Sequence, residues 1–202
     1  MNLGRQLVLS GCLGLVLMGV GGETSAEDRI YVGASLGYAG HPEWAEIARA
    51  ALARAGLTAS TIDDFVPGWK VFAGYAFNSA FAVELAYNDY GKFYANSICG
   101  FGCQVTLEQE ITGTAVSLIG MVPLAEVGQF FVKAGGMRWK ARTRVSDPSV
   151  TLTGTDDGTD AAFGVGLDLK ATQNVALRFQ FEYFRLDDTK VYLTSAGLLY
   201  RF

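Results

Sequence analysis

The segment from Gly68 to Tyr90 constrains the fold more than any other part of the chain. At a period of two, Trp69, Val71, Ala73, Tyr75 and Phe77 share one face, and Lys70, Phe72, Gly74 and Ala76 share the other. After the short turn Asn78–Ser79–Ala80 the alternation resumes, with Phe81, Val83, Leu85 and Tyr87 opposite Ala82, Glu84, Ala86 and Asn88. This is the pattern of a two-stranded hairpin. Its bulky face is continuously apolar and carries aromatics at both ends; its other face is small, with one lysine and one glutamate. An aromatic-capped apolar face suits hydrocarbon between two interfaces, and a small polar face suits a narrow lumen.

Composition supports a membrane barrel over a soluble sandwich. Half of the 202 residues are hydrophobic, 18% are charged and 25 are glycine. Beyond the N-terminus no apolar run approaches the roughly 18–20 residues of a spanning helix. Net charge is −4, and lysines and arginines form no run, so a nucleic-acid face is not expected.

The N-terminus reads as an export signal. Arg5 is a minimal positive region, Leu7–Val20 an apolar core, and Thr24 and Ala26 are small residues at −3 and −1, which places cleavage after Ala26. Residues 1–26 are then the signal peptide and 27–202 the barrel domain. Leu9–Ser10–Gly11–Cys12 is a rival lipoprotein-type box, but an apolar run follows it where a polar tether is usual. Export also makes a disulfide between Cys99 and Cys103 the leading reading of that pair. No histidine or carboxylate cluster accompanies them, so no metal is expected.

The alternation predicts eight strands: Arg29–Tyr38, the two of the hairpin, Gln104–Val122, Phe130–Arg144, Ala161–Ala171, Val175–Leu186 and Lys190–Phe202. In Gln104–Val122, Val105, Leu107, Ile111, Ile119 and Met121 suggest that odd positions face outward. Residues 39–67, 91–103 and 145–160 are expected as long loops on one rim, with short turns on the other. All four prolines are expected in connections. Within 39–67, Trp44, Ile47, Ala48, Ala51, Leu52 and Ala55 recur at helical spacing, giving a helix from about 43 to 55 that Gly56 ends. Two readings of that helix stand: packing on the barrel mouth, or lying on lipid headgroups. The expected fold is all-β: an eight-stranded antiparallel up-and-down transmembrane β-barrel with a short helix in its first extracellular loop.

Tyr31–Tyr38 (YVGASLGY), Phe72–Tyr75 (FAGY) followed by Asn78, Ala134–Trp139 (AGGMRW) and the terminal Tyr200-Arg201-Phe202 together resemble the OmpA-type transmembrane domain of Gram-negative outer-membrane proteins. The resemblance implies a place in the cell outer membrane, with lipid and lipopolysaccharide as surroundings. It implies that Tyr200 and Phe202 are the signal read by the barrel-assembly machinery. It also implies an interior charge cluster, with Glu84, Asp168 and Arg178 at matching positions. The family's lysine on the fourth strand has no counterpart, since Ser117 or Leu118 stands there, and Lys133 or Lys70 is the candidate substitute. The cluster reads either as a self-paired network that fills the core or as a gate for water and small ions. Better-known members carry a peptidoglycan-binding domain after the barrel; this chain stops at Phe202, and that role is not carried over.

Histidine-dependent lipid chemistry would have to use His41, the single histidine, and no nucleophile is placed beside it. The expectation is a monomeric, non-enzymatic barrel without cofactors that serves envelope integrity and surface display. A gated small-solute channel and an adhesin are the alternatives.

Overall fold

The computed structural model describes residues 29–98, 104–147, 149–186 and 189–202. The signal peptide, Cys12, the Cys99–Cys103 pair, Pro148 and the Asp187–Asp188 turn lie outside the described residues. The chain runs β1 (Ile30–Gly40), α1 (Trp44–Arg54), β2 (Ala59–Asp63), β3 (Phe65–Ala76), β4 (Phe81–Ile98), β5 (Gln104–Leu124), β6 (Gly128–Ser146), β7 (Thr151–Lys170), β8 (Val175–Leu186) and β9 (Thr189–Arg201). Every strand except β2 pairs antiparallel with two ring neighbours, and β1–β9 together with β4–β5 closes a ring of eight. Closure removes both sheet edges, which hydrocarbon could not solvate. β2 lies outside the ring and pairs with the upper end of β4, between Tyr94 and Ser97.

The β3–β4 hairpin forms with Trp69 opposite Asp89 and Ala76 opposite Ala82. Its turn is held by Asn78, whose Oδ1 accepts from the backbone N–H of Ala80 and of Phe81, each at 2.8 Å. That is an Asx turn, which explains asparagine at this position. Around the ring the apolar stripes face outward: Leu36, Leu85, Phe163, Phe179, Phe181 and Leu198 are exposed, while Glu84, Asp168 and Arg178 are buried. The exposed Tyr38, Trp69 and Tyr87 stand toward one rim, and Phe77, Phe81, Phe130, Tyr200 and Phe202 toward the other.

Three expectations need correction. In β5 the register is inverted: Leu107, Ile111 and Ile119 are buried inside, and Val116, Leu118 and Val122 face out. This strand is apolar on both faces, so its own pattern is degenerate. Its neighbours decide: Ser117 lies between inward Glu84 and inward Gly135. The stretches 91–98 and 151–160, expected as loops, are strands. The Thr-, Asp- and Gly-rich composition of 151–160 reads as coil, yet both faces are solvated there and β6–β7 stays in register to Ser146↔Thr151; in 91–98 Phe93 and Ala95 are buried in the apolar cluster at the mouth. Pro67 and Pro123 lie inside β3 and β5. Each sits past the point where one neighbour's ladder has stopped, so the missing N–H costs little.

The barrel is therefore lopsided. β4 to β7 have 18–21 residues against 11–13 for β1, β3, β8 and β9. The excess of about eight residues projects roughly 20 Å beyond the mouth at 3.3 Å per residue and a typical tilt. The β6–β7 tip is closed by Asp147, whose Oδ1 accepts from the N–H of Ser149 and Val150 at 2.7 Å.

Helix α1 ends in a Schellman motif: Leu57 N–H donates to Leu52 O and Gly56 N–H to Ala53 O, with Gly56 at φ +73°. Of the expected apolar stripe, Trp44, Ala48 and Leu52 are buried, whereas Ile47 and Ala51 are exposed. The narrow buried stripe joins one apolar cluster with Tyr90, Phe93, Ile111, Met137, Phe184 and Leu193. The helix lies over the mouth, and its inner face completes the upper core.

Candidate functional site

Below that cluster the lumen holds six ionised side chains from five strands. Arg178 on β8 is the hub. Its Nε and Nη2 donate to the two oxygens of Asp168 on β7, at 2.7 and 2.9 Å, and its Nη1 donates to Glu84 Oε2 on β4 at 2.6 Å. Asp168 and Arg178 are register partners, so the bidentate fork needs no reach across the lumen. Arg178 is also stacked on rings, 4.4 Å from the Phe131 centroid and 4.7 Å from that of Phe72. All its charged neighbours are buried with it.

Lys133 on β6 contacts Glu182 and lies 3.4 Å from Glu84 Oε1. Lys70 on β3 lies 3.1 Å from Glu182 and 3.6 Å from Glu84. Three cations thus meet three carboxylates, and the set is formally neutral. Tyr31 donates to Glu84 Oε2 at 3.2 Å, and Gln129 donates to Asp168 Oδ2 at 2.9 Å. Arg201, at the inner rim, is 3.7 Å from Asp168. The carboxylates therefore have partners on several sides, which a buried charge requires.

The structure brings Glu84, Lys133, Asp168 and Arg178 together. It adds Lys70, which the sequence offered only as an alternative to Lys133, and Glu182, which the resemblance did not mark. The signal for Glu182 lay in the register. Lys133, Gly164 and Glu182 are consecutive across β6, β7 and β8. With no side chain on Gly164, the lysine spans two strands to the glutamate. Gly74 plays the same part between Tyr31 and Glu84.

The upper lumen is closed differently. His41, just past β1, is buried against Trp44 and Phe93, with the Phe93 ring edge-on at 5.5 Å. Its Nδ1 has no hydrogen-bond partner among the described residues, and Glu43 Oε2 is 3.9 Å away. Burial holds its pKa below the usual imidazole value, only partly offset by Glu43. Among the described residues no three His, Cys, Asp or Glu side chains are placed to hold a metal ion.

A ring of eight strands with ionised groups inside and aromatic-flanked apolar stripes outside is matched by comparison with known proteins. The model of the OmpA-like transmembrane domain matches residues 25–202. The chain belongs to the OmpA-like transmembrane domain family. Its solved relatives in fold include Ail, the attachment invasion locus protein of Yersinia pestis, bound to the heparin analogue sucrose octasulfate. That match has 17% identity and a TM-score of 0.53, covering 86% of this chain and 99% of that one. Neisserial surface protein A matches at 14% identity and TM-score 0.56, over 86% and 97%. The N-terminal barrel of Pseudomonas aeruginosa OprF matches at 14% and 0.51, over 87% and 98%. No curated protein matches the sequence. This OmpA-like domain is an outer-membrane protein of the Gram-negative type.

Proposed function

We propose that this OmpA-like barrel is a non-enzymatic, closed, monomeric envelope protein, surrounded by outer-membrane lipid and lipopolysaccharide, that displays the projecting β4–β7 wall at the cell surface. The observation that carries this reading is the filled lumen. A neutral set of three cations and three carboxylates occupies the lower half, and an apolar cluster capped by Trp44 and Leu52 occupies the upper half. An eight-stranded ring is just wide enough for its own side chains, and here they use the space. Among the described residues His41 has no hydrogen-bonded partner at Nδ1 to orient it as a base.

Residues 1–26 fit removal on export, and Tyr200 and Phe202 fit delivery by the barrel-assembly machinery. The test is a deletion strain assayed for uptake of a large hydrophobic antibiotic. Deletion raises uptake, and the full chain restores the barrier. An unchanged barrier, with loss of small-solute uptake, would favour the channel.

Attachment is the second reading, favoured by the length of the β4–β7 wall. Ail, with the same fold, is named for attachment and was solved with a heparin analogue. Shortening β6–β7 to the length of β8–β9 would abolish attachment while the barrel still folds.

A further inference from the structure

Arginines and lysines form no run in the sequence, but strand parity aligns four of them. Arg138, Lys140, Arg142 and Arg144 alternate along β6, and all four are exposed on its outer face. Below them the same face reads Phe130, Val132, Ala134 and Gly136, which is the lipid-facing band. From Phe130 to Arg138 the strand climbs roughly 20 Å, near the height of a typical apolar band of about 25 Å. Arg138 and Lys140 thus stand at its upper margin, where the headgroups of the outer leaflet lie.

The ladder's two halves differ in height above the apolar band and in their neighbours. Arg142 faces Glu110 and Arg144 faces Glu108 across β5, and Lys92 holds Glu108 at 3.1 Å. Arg138 and Lys140 face Thr114 and Thr112 on β5, and Thr159 and Asp157 on β7. Of these directly facing residues Asp157 is the acidic one, 3.9 Å from Arg138, and that pair is largely exposed. Each half thus holds one more cation than carboxylate, and the lower excess, on Arg138 and Lys140, sits at the membrane margin. There Tyr87, Thr112, Thr114, Arg138, Lys140 and Asp157 line a cleft of about 290 Å³. Directly below it, Val116, Leu118, Val132 and Phe163 are exposed and apolar.

We propose that this cleft binds the phosphorylated headgroup of an outer-leaflet glycolipid, with Arg138 and Lys140 on the phosphate and the acyl chains along Val116, Leu118 and Val132. The inference rests on the outward orientation of these strands and makes specific the general lipid surroundings proposed above. Arginine presents a fork of N–H donors to phosphate, lysine adds a point charge, and the threonines add hydroxyl donors. A soluble polyanion would engage the distal arginines as readily, whereas a lipid held by its acyl chains reaches only the pair at the apolar margin.

The test uses the full mature chain in phosphatidylcholine nanodiscs, titrated with bisphosphorylated lipid A and read by native mass spectrometry. Wild type retains lipid A, and R138A/K140A weakens retention at least tenfold. R142A/R144A changes it less than threefold, D157N strengthens it, and dephosphorylated lipid A with the same acyl chains binds as weakly as to R138A/K140A. Heat-modifiable mobility confirms that each variant is folded. Equal retention by R138A/K140A and wild type would overturn the proposal, as would equal binding of the dephosphorylated lipid. So would a heparin-type oligosaccharide binding through the same cleft while lipid A does not. A failure of outer-membrane insertion, seen as no heat-modifiable form at all, would instead count against the envelope reading itself.

Discussion

Tyr31 reaches Glu84 across Gly74. The three residues are consecutive register partners on β1, β3 and β4, and the phenol crosses the glycine to donate to Glu84 Oε2 at 3.2 Å. A Cβ on Gly74 would overlap the Tyr31 ring itself. Gly74→Val is therefore expected to displace Tyr31 and strip one partner from a buried carboxylate, at a cost of about 1–3 kcal/mol for the lost hydrogen bond and more for the clash. Gly154→Ala, where a Cβ meets open space, is the matched control and is expected to be neutral. The midpoint of unfolding, followed by heat-modifiable gel mobility in urea, reads both.

Removing the hub costs more than removing its supports. Arg178→Ala leaves Glu84 and Asp168 buried with fewer partners, and an expected loss of about 3–5 kcal/mol follows. Changing Arg178, Glu84 and Asp168 together to apolar residues of similar volume is expected to recover most of that loss, because no charge is then left unmatched. A double-mutant cycle on the unfolding midpoint separates the pairwise terms.

Trp44 is nine-tenths or more buried between His41, Phe93 and the rest of the upper cluster. Trp44→Ala is expected to cost about 3–5 kcal/mol locally and to loosen α1 without opening the strand ring. Limited proteolysis reports it: cleavage within 43–57 accelerates while the barrel fragment stays intact.

The same plug carries a pH dependence. Burial depresses the His41 pKa, so the unfolded segment takes up a proton at a higher pH than the folded one. The contribution is complete above the ordinary imidazole value near 6.5 and is lost as pH falls from there toward the depressed folded value. Proteolysis of α1 is expected to quicken as pH drops below about 6.5. His41→Phe, which keeps a ring against Phe93, is expected to abolish that trend.

β4 and β5 remain paired up to Ile98↔Gln104, which leaves Cys99 and Cys103 at the two ends of one short connection. We expect them to be disulfide-bonded in the mature chain. Alkylation of the denatured, unreduced protein should label neither cysteine, and reduction should expose both.

The sequence carried the hairpin, the ring and the facing of most strands because bulky and small residues alternate cleanly on β1, β3, β4, β8 and β9. It failed where both faces are alike. β5 is apolar on each side in its lower half, so only its neighbours set the register. β7 from 151 to 160 is solvated on each side, and a polar strand there looks like coil. Asp168 and Arg178 stood at inward positions of strands whose pattern was clear. Lys70 and Glu182 did too, but their joining the cluster depends on cross-strand steps over glycine that need a register to see. The basic ladder of β6 is hidden for a related reason: alternation spaces its members two apart, so no run of charge marks it.

The central claim is that side chains, not water, occupy the lumen. Single-channel recording in planar bilayers tests it most directly. The folded wild-type barrel is expected to give no steady openings. Steady openings in the wild type that vanish in Arg178→Ala would contradict it.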